Sequence, residues 1–485
     1  MATSAPQHGR GAAAAILGRV TSEPTTTSPT TAARPARPER GEEIELRIDT
    51  LAYGGAGVGR YGDAHHGWVV FVRDALPGDR VRAVVTKRKR HYGEARLLEV
   101  VEPSPERVEP VAHHPGAPWQ VLPYERQLAV KQEQVDEALR RIGKLDGFAL
   151  EPIVPADELW RYRNKLEFSF GTGPGGELVC GFHAPGSWED IVGVDDCLLQ
   201  SERGNAARRE VVEWARGQGL VAYDRRTQLG ELRNLVIREG RRTGELQVRL
   251  VVTEGTEVDG ASLAAAVRAD SLLLTQIAGV GETTAGGTTE LLDGAATIAE
   301  ELCGLRFRLF GQAFFQTNTE MAERLYGVAA EFAGLQGWER VYDLFCGIGT
   351  IGLSLAGRAG EVWGLEIVED AIADAIGNAR ANEIANARFY AGDVRLALRD
   401  LVEQAGRPDV VVVDPPRAGL SQKVVRRIIA ASPKRLVYVS CNPTTLAPNA
   451  AQLVEAGYAL RRVRPVDMFP QTPHIECVAL LERAT

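Results

Sequence analysis

The first folded pattern along the chain lies between residues 40 and 102, where apolar and polar residues alternate in short runs. Segments such as IELRIDT and RVRAVVT place apolar side chains at every second position, and turns containing Gly or Pro separate them. Short strands at this spacing are typical of a small β-barrel. We therefore predict an N-terminal β-barrel, with an open, flexible turn formed by the glycines of LAYGGAGVGR.

Residues 103–330 mix helical and strand patterns. ERQLAVKQEQVDEALRRI has helical periodicity, whereas LEFSFG, ELRNLVIREG and GELQVRLVVT resemble strands of an antiparallel sheet. We predict a central α+β domain, whose first helix, near residues 125–142, can pack on the domain that follows. Basic residues recur in this region, and many of them can face one side of the sheet and contact RNA: Arg161, Arg163, Lys165, Arg225, Arg226, Arg233, Arg238, Arg241 and Arg242.

From residue 331 to residue 485, strand and helix patterns alternate regularly. Alternation of this kind indicates parallel strands joined by crossover helices. The predicted fold is therefore an α/β, doubly wound, Rossmann-like domain at the C-terminus, preceded by the barrel and the central α+β domain.

The chain's charge does not by itself indicate a nucleic-acid-binding protein, because the formal net charge is −8. Residues 1–100 carry 15 Lys and Arg against 11 Asp and Glu, a net of +4, so the remainder carries −12. Any RNA contact must use local basic patches. The run from Lys87 to His91 has two interpretations, a solvated charged edge or a phosphate-binding patch with Tyr92 available for base stacking.

Cysteine content and hydropathy limit the class of protein further. Six scattered cysteines in 485 residues, with no CxxC pair, are too few for a disulfide scaffold and favour the reduced cytoplasm. No apolar run reaches the length of a membrane span, and no His and Cys spacing indicates a metal site. Residues 1–39, rich in Ala, Ser, Thr, Pro and Arg, predict a disordered tail. A targeting signal is the alternative for this segment, although no clear amphipathic helix supports it.

Three segments of the C-terminal domain predict a cofactor site at the carboxyl edge of the sheet. In DLFCGIGTIGL, Gly347 and Gly349 allow the backbone to approach a ligand closely. Glu366 ends the next strand, where a carboxylate can accept hydrogen bonds from ribose hydroxyls. Asp414 and the two prolines of DPPR end a strand of four valines at the same edge. Each segment alone has a structural alternative: a tight turn without a ligand for the glycines, a helix-start residue for Glu366 and a strand-terminating turn for DPPR.

VYVSCNP places Cys441 at that same edge, in a bend that suits a nucleophilic thiolate. Cys346 competes for this role, but it lies inside the glycine turn and is interpreted as a packing residue. Glu476, just before the last apolar strand, is a candidate base or an ordinary surface carboxylate. His474 is similarly ambiguous.

These motifs, in this order, resemble the RNA uracil-5-methyltransferase family, which includes 23S rRNA and tRNA enzymes. The segments YRNKLEFSFG, FGQAFFQTN, DLFCGIGTIGL, DPPRAGL, SCNPTTLAPN and FPQTPHIECVALLER carry the resemblance, and the barrel resembles a TRAM domain, an RNA-binding module. The resemblance implies a methyltransferase domain that uses S-adenosyl-L-methionine. It implies Cys441 as the nucleophile that adds to uracil C6, Glu476 as the base that removes the C5 proton, and cofactor contacts at Gln316, Phe345, Glu366 and Asp414. With Gly347 of the glycine turn, the predicted cofactor site has five residues.

The resemblance also bears on an iron–sulfur cluster and on the target RNA. Many rRNA-type members hold a cluster on four cysteines, but two of the expected positions here are His114 and Ala117, and Cys197 resembles a remaining fourth ligand. We therefore expect no cluster and interpret Cys197 as packing or vestigial. The TRAM domain favours 23S rRNA over tRNA, and we expect a monomer.

Two other functions remain open at this level. Methylation of an exocyclic amine would normally place an aromatic residue after DPP, where this chain has Arg417. The other is an RNA-binding protein without catalysis. Such a protein would not need Gln316, Asp414, Cys441 and Glu476 together.

Overall fold

The computed structural model describes residues 37–62, 67–281 and 283–484. The predicted tail therefore lies almost entirely outside the described residues. The described chain forms a closed barrel, a seven-stranded central sheet with a small hairpin, and an eight-stranded C-terminal sheet, so the predicted fold class is confirmed. None of the described helices is both long enough and apolar enough to span a membrane.

The N-terminal barrel closes in the order β1-β2-β3-β5-β4. Alternate residues of β1 point into the barrel core, as the sequence pattern predicts. Gly59 is required for the close approach of β2 to β1, because a Cβ there would lie 2.2 Å from the carbonyl oxygen of Arg47. The strands are β1 Glu43–Leu51, β2 Gly57–Tyr61, β3 Trp68–Val72, β4 Arg80–Arg88 and β5 Tyr92–Glu102.

The first helix after the barrel packs against the C-terminal domain. Helix α1, Tyr124–Glu137, continues into a π-helical turn, Ala138–Ile142, and the short strand β6, Ala149–Leu150, joins the edge of the C-terminal sheet. Val135 and Leu139 lie in that domain's core. On the same helix, Lys131 Nζ donates to Asp467 Oδ1 at 2.5 Å, and both side chains are fully buried.

The central sheet has the order β13-β12-β11-β10-β7-β8-β9. Strand β10 runs antiparallel to β7 and β11, as predicted, whereas β11 and β12 are parallel because α3 connects them. The elements are β7 Lys165–Thr172, β8 Leu178–His183, β9 Ile191–Gly193, α2 Glu202–Gly217, β10 Leu232–Glu239, β11 Leu246–Thr253, α3 Gly260–Ala266, β12 Ser271–Ile277 and β13 Thr288–Gly294, followed by the hairpin β14 Thr297–Leu302 and β15 Leu305–Phe310.

Several of the nine basic residues of the central domain make contacts within the protein, so they are not all free to face RNA. Arg238 is buried and donates to the carbonyl oxygens of Phe310 and Ala313. Arg233 donates to the carbonyl oxygen of Gly279 at 2.5 Å. Arg161, Arg241 and Arg242 form ion pairs with acidic partners. A buried arginine needs such acceptors, and the sequence alone does not show where they lie.

The C-terminal sheet has the order β18-β17-β16-β19-β20-β22-β21-β6. Strands β16 to β20 are parallel, and β22 lies antiparallel between β20 and β21. Apolar clusters cover both faces. The elements are α4 Thr319–Ala333, β16 Arg340–Leu344, α5 Thr350–Ala356, β17 Glu361–Glu366, α6 Glu369–Ala381, β18 Ala387–Ala391, α7 Val394–Ala405, β19 Val410–Val413, α8 Gln422–Ala431, β20 Arg435–Ser440, α9 Pro443–Glu455, β21 Tyr458–Val466 and β22 Glu476–Arg483.

Helix α4 spans the boundary predicted between residues 330 and 331. Its buried side chains, including Leu325 and Phe332, pack in the core of the C-terminal sheet. We therefore describe α4 with the C-terminal domain.

The buried ion pair between α1 and the C-terminal domain generates a stability prediction. Lys131→Met should lower the free energy of unfolding by about 3–5 kcal/mol, because it removes one partner of a buried ion pair and leaves the buried Asp467 carboxyl without its lysine. Urea unfolding measures the change. The control is Arg141→Met, since Arg141 forms an exposed pair with Glu137 on the same stretch of helix and its loss should matter little. Equal stability of the two variants would contradict the prediction.

Candidate active site

The candidate site lies where the strand order of the C-terminal sheet reverses. Strands β17 and β18 follow β16 on one side, and β19 lies on its other side. The loops after β16 and β19 therefore diverge and leave a crevice at their carboxyl ends, which is where open α/β sheets bind ligands.

The glycine turn after β16 is shaped for close approach of a ligand. Phe345 adopts a left-handed backbone with φ of 65°, and its N–H donates to the carbonyl oxygen of Leu365 at 2.9 Å. Gly347 also has positive φ, and a Cβ built there would meet no atom within 4 Å. Below the turn, Asp343 Oδ1 is buried without a hydrogen-bond partner in the described part of the chain. The space next to Gly347 is therefore open, and a ligand could approach the backbone there.

Glu366, at the end of β17, closes one side of the crevice. Its carboxylate accepts hydrogen bonds from the backbone N–H groups of Gly347 at 3.3 Å, Ile367 at 2.7 Å and Val368 at 3.0 Å. These contacts fix its orientation beside the glycine turn. A carboxylate held in this way can accept further hydrogen bonds from ribose hydroxyls.

Asp414 and Gln316 meet on the other side of the crevice. Gln316 Nε2 lies 3.5 Å from Asp414 Oδ2, although the two residues are 98 positions apart in the sequence. Burial raises the pKa of Asp414 to about 7, and the contact with Gln316 opposes this shift. The structure thus brings together the five predicted cofactor residues around one crevice.

Cys441 follows β20 and precedes α9. Asn442 caps α9 through its side-chain oxygen, which accepts from the N–H of Thr444 at 3.0 Å. Cys441 is partly exposed. Burial, helped by the neighbouring Glu476 and Asp414, raises the pKa of its thiol to about 12, and Arg417 opposes this shift. The competing Cys346 is buried within the glycine turn, as expected.

Glu476 lies beside Cys441 because of strand pairing. β22 pairs with β20 in a register that places Cys477 opposite Ser440, so the residues one step further, Glu476 and Cys441, are neighbours. The Glu476 side chain is only 5% exposed, and burial raises its pKa well above the usual value. Glu476 is therefore not an ordinary surface carboxylate. Burial lowers the pKa of His474 to about 4, so its ring stays neutral at pH 7.

Two residues near the candidate nucleophile have no role in the sequence prediction. Tyr53, on the open turn of the barrel, donates its hydroxyl to the carbonyl oxygen of Cys441 at 3.0 Å. The guanidinium of Arg417, from the DPPR segment, lies 5.9 Å from the centre of the Tyr53 ring. Because Arg417 belongs to the DPPR segment, its place near the site could have been predicted from the sequence. The contact of Tyr53 could not have been predicted in this way, because 388 positions separate it from Cys441 in the sequence.

The positions expected for an iron–sulfur cluster hold a hydrogen-bonded pair. His114 Nε2 lies 3.2 Å from Cys197 Sγ, and both side chains are buried. Ala117, at another expected position, is also buried. One thiol, one imidazole and a methyl group do not fit the four-ligand set of such a cluster.

Comparison with known proteins agrees with the geometry. Residues 37–98 match the TRAM domain, and residues 260–484 match the family described as tRNA (uracil-5-)-methyltransferase. An uncharacterized RNA methyltransferase of Halalkalibacterium halodurans is 39% identical over 453 residues, covering 91% of this chain and 97% of the relative. One from Bacteroides thetaiotaomicron is 41% identical, covering 85% and 96%.

A solved structure is similar over almost the whole chain. It is the tRNA (uracil-54, C5)-methyltransferase of Pyrococcus abyssi in complex with S-adenosyl-L-homocysteine, with a TM-score of 0.72, 28% identity, and coverage of 90% of this chain and 100% of that one.

The chain belongs to the tRNA (uracil-5-)-methyltransferase family. It is an S-adenosyl-L-methionine-dependent RNA (uracil-5-)-methyltransferase with an N-terminal TRAM domain. The predicted family, enzyme class, cofactor and RNA substrate class are thereby confirmed.

The raised pKa of Cys441 predicts the pH dependence of its reactivity. Because only the thiolate is alkylated, and pH 7–10 lies below a pKa of about 12, the rate of alkylation by iodoacetamide should rise about tenfold per pH unit in the free enzyme. Mass spectrometry of the Cys441 peptide measures this rate. Cys303 is the reference within each sample, since it is exposed and its pKa is raised to about 11. A plateau for Cys441 below pH 8 would contradict the prediction.

Proposed function

We propose that this enzyme methylates C5 of a uridine in RNA through a covalent bond between Cys441 Sγ and uracil C6. The observation that carries the proposal is the pairing of β20 with β22, which places a thiol and a buried carboxyl group side by side at the mouth of the crevice. C5 of uracil is a poor nucleophile, so a thiol that adds at C6 and a base that removes the C5 proton are the groups this reaction needs.

The cofactor residues of this proposal are Gln316, Phe345, Gly347, Glu366 and Asp414. S-adenosyl-L-methionine supplies an electrophilic methyl group. Glu366 would bind the ribose, because its carboxylate stands at the end of β17 beside the glycine turn. The open space above Gly347 would receive the nucleoside. Asp414 and Gln316 would line the opposite wall and orient the reactive end of the cofactor toward Cys441.

The residues of the chain then act in sequence. The Cys441 thiolate forms a bond to C6, and the displaced electron pair gives C5 nucleophilic character. After C5 has acquired the methyl group, the Glu476 carboxylate removes the C5 proton. The C5–C6 double bond re-forms, the bond from C6 to sulfur breaks, and the thiolate leaves. Arg417, which lowers the pKa of both Cys441 and Glu476, favours the charged forms that these steps require.

The target RNA is part of the proposal. We take 23S rRNA as the leading substrate and tRNA as the alternative, acted on by a monomer. The alternative is favoured by the Pyrococcus abyssi enzyme, which is a tRNA methyltransferase by name. Its alignment covers 90% of this chain, a span too long to omit the barrel, so a barrel does not by itself distinguish rRNA enzymes from tRNA enzymes.

Release of tritium from C5 of uridine tests the chemistry. The enzyme and S-adenosyl-L-methionine, incubated with unmodified C5-tritiated total RNA, should release tritium and form 5-methyluridine in one RNA fragment, which mass spectrometry identifies as rRNA or tRNA. Cys441→Ala should abolish both products while RNA binding persists. Glu476→Gln should slow proton removal and accumulate a covalent RNA–protein complex. Cys303→Ala, which removes an exposed thiol outside the crevice, is the control.

The same assay separates the competing functions. Methyl transfer without tritium release would move the reaction to another atom, such as an exocyclic amine, and would remove the roles of Cys441 and Glu476. Absence of transfer to any RNA would leave an RNA-binding protein without catalysis.

Cofactor binding gives a second test of the site. Glu366→Gln should weaken binding of S-adenosyl-L-homocysteine about tenfold, because a charged acceptor of ribose hydrogen bonds is lost. Isothermal titration calorimetry measures the affinity, and RNA binding should not change. Glu369→Gln is the control, since Glu369 is exposed on α6 three residues away. Equal affinity for the two variants would exclude Glu366 as a ribose contact.

A further inference from the structure

The turn between β1 and β2 of the barrel contacts the active site of the C-terminal domain. The turn is closed by backbone hydrogen bonds from Ala52 N–H to the carbonyl oxygen of Ala56 and from Gly55 N–H to that of Ala52, at 2.8 and 2.9 Å. Its base is tied to α1, because Gln134 Nε2 donates to the carbonyl oxygen of Leu51 at 3.1 Å. The turn is therefore closed by its own backbone hydrogen bonds and is held at its base by α1.

At the tip, the Tyr53 side chain reaches the backbone of the candidate nucleophile. Its hydroxyl donates to the carbonyl oxygen of Cys441 at 3.0 Å, and its ring packs against the core of the C-terminal domain. Burial raises the pKa of Tyr53 to about 12, and Arg417 opposes this shift. Tyr53 therefore remains a protonated hydrogen-bond donor at neutral pH and is not a base.

The same turn touches the loop that leads to the candidate base. A Cβ at Gly55 would lie only 2.8 Å from Pro473 Cβ and 3.1 Å from Trp119 Nε1. Pro473 precedes Glu476 by three residues. One turn of the barrel thus contacts both segments that present reactive side chains.

We propose that Tyr53 is a positioning residue for Cys441, and that the TRAM barrel, besides binding RNA, completes the active site through this turn. The proposal rests on the proposed role of Cys441 as nucleophile. Tyr53 bonds to the backbone of Cys441 and not to its sulfur, so its effect is on the direction of the Cα–Cβ bond. The peptide that follows Cys441 is held on its other side by Asn442, which caps α9. Together these contacts fix the bend from which Sγ must approach C6.

A role in positioning has a specific kinetic signature. Attack on C6 requires the reacting atoms to be aligned within a few tenths of an ångström, so loosening the bend should slow bond formation and leave substrate binding intact. A residue that contacts RNA directly would instead change the KM for RNA.

Tyr53→Phe is the first test, since it removes the hydroxyl and retains the ring. We expect kcat for methyl transfer to fall about tenfold, with KM for RNA and for the cofactor within about twofold of wild type. With 5-fluorouridine RNA the covalent complex accumulates, because the base cannot remove fluorine from C5 and the adduct is not released. Formation of this complex should slow by the same factor as kcat. Tyr61→Phe is the control, because Tyr61 packs against the barrel's own core cluster.

The outcomes separate this inference from the proposed function. Unchanged kcat, or a raised KM for RNA with unchanged kcat, would overturn positioning by Tyr53. Cys441→Ala is measured in the same assay, and turnover by that variant would overturn the nucleophile itself, whatever Tyr53→Phe does.

A pair of glycine substitutions tests docking of the turn independently. Gly54 and Gly55 both have φ near 90°, so replacement by Ala puts a side chain on a left-handed backbone at both positions. A Cβ at Gly54 meets no atom within 4 Å, whereas one at Gly55 collides with Pro473. Gly55→Ala should therefore reproduce the fall in kcat, and Gly54→Ala should not. Equal kcat for the two variants would show that contact with Pro473 has no effect on catalysis.

Discussion

The antiparallel insertion of β22 between β20 and β21 is the constraint on which the active site depends. It pairs Ser440 with Cys477, and so brings Cys441, the residue that follows β20, beside Glu476, the first residue of β22. Both faces of β22 are buried along most of its length, so a slip of one residue would exchange the side chains packed on the two faces of the sheet and disrupt both. The apolar sequence CVALL therefore does more than fill the core, because it fixes the distance between Glu476 and Cys441.

This proximity has an electrostatic consequence. Asp414, Cys441 and Glu476 are three potential anions in one partly buried space, and each raises the pKa of a neighbour or has its own pKa raised by burial. The free site therefore avoids three adjacent negative charges by keeping the Cys441 thiol protonated at pH 7 and by shifting the Glu476 carboxyl toward its neutral form. Arg417 opposes the rise in pKa of both Cys441 and Glu476. On the proposed mechanism, a positively charged methyl donor in the crevice would shift the balance further toward thiolate and carboxylate, so that the nucleophile forms when the site is filled.

Local signals made much of this molecule predictable from its sequence. The glycine turn after β16, the acidic end of β17 and the DPP end of β19 each mark the end of a parallel strand, and parallel strands share one carboxyl edge. Their convergence could thus be predicted without any knowledge of contacts. Side chains whose roles depend on distant partners could not be predicted in this way. Arg233 and Arg238 are basic residues in a region expected to bind RNA, yet their guanidinium groups donate hydrogen bonds to backbone carbonyl oxygens inside the protein. Tyr53 belongs to a turn that the sequence describes only as flexible.

The site is also not the product of the C-terminal domain alone. The loop from Asp467 to His474, which leads into Glu476, is held by α1 through Lys131 and through Gln127, whose amide bonds with Gln471 in both directions. Gln471 itself has a positive φ of 65°, an uncommon backbone conformation that persists only where surrounding contacts hold it. The barrel turn then supports the same loop from the outside at Gly55. α1 and the barrel precede the central sheet in the chain, yet both pack against this loop, which follows that sheet in the sequence. Any change that loosens the barrel should therefore alter the geometry of the reactive residues as well as the affinity for RNA.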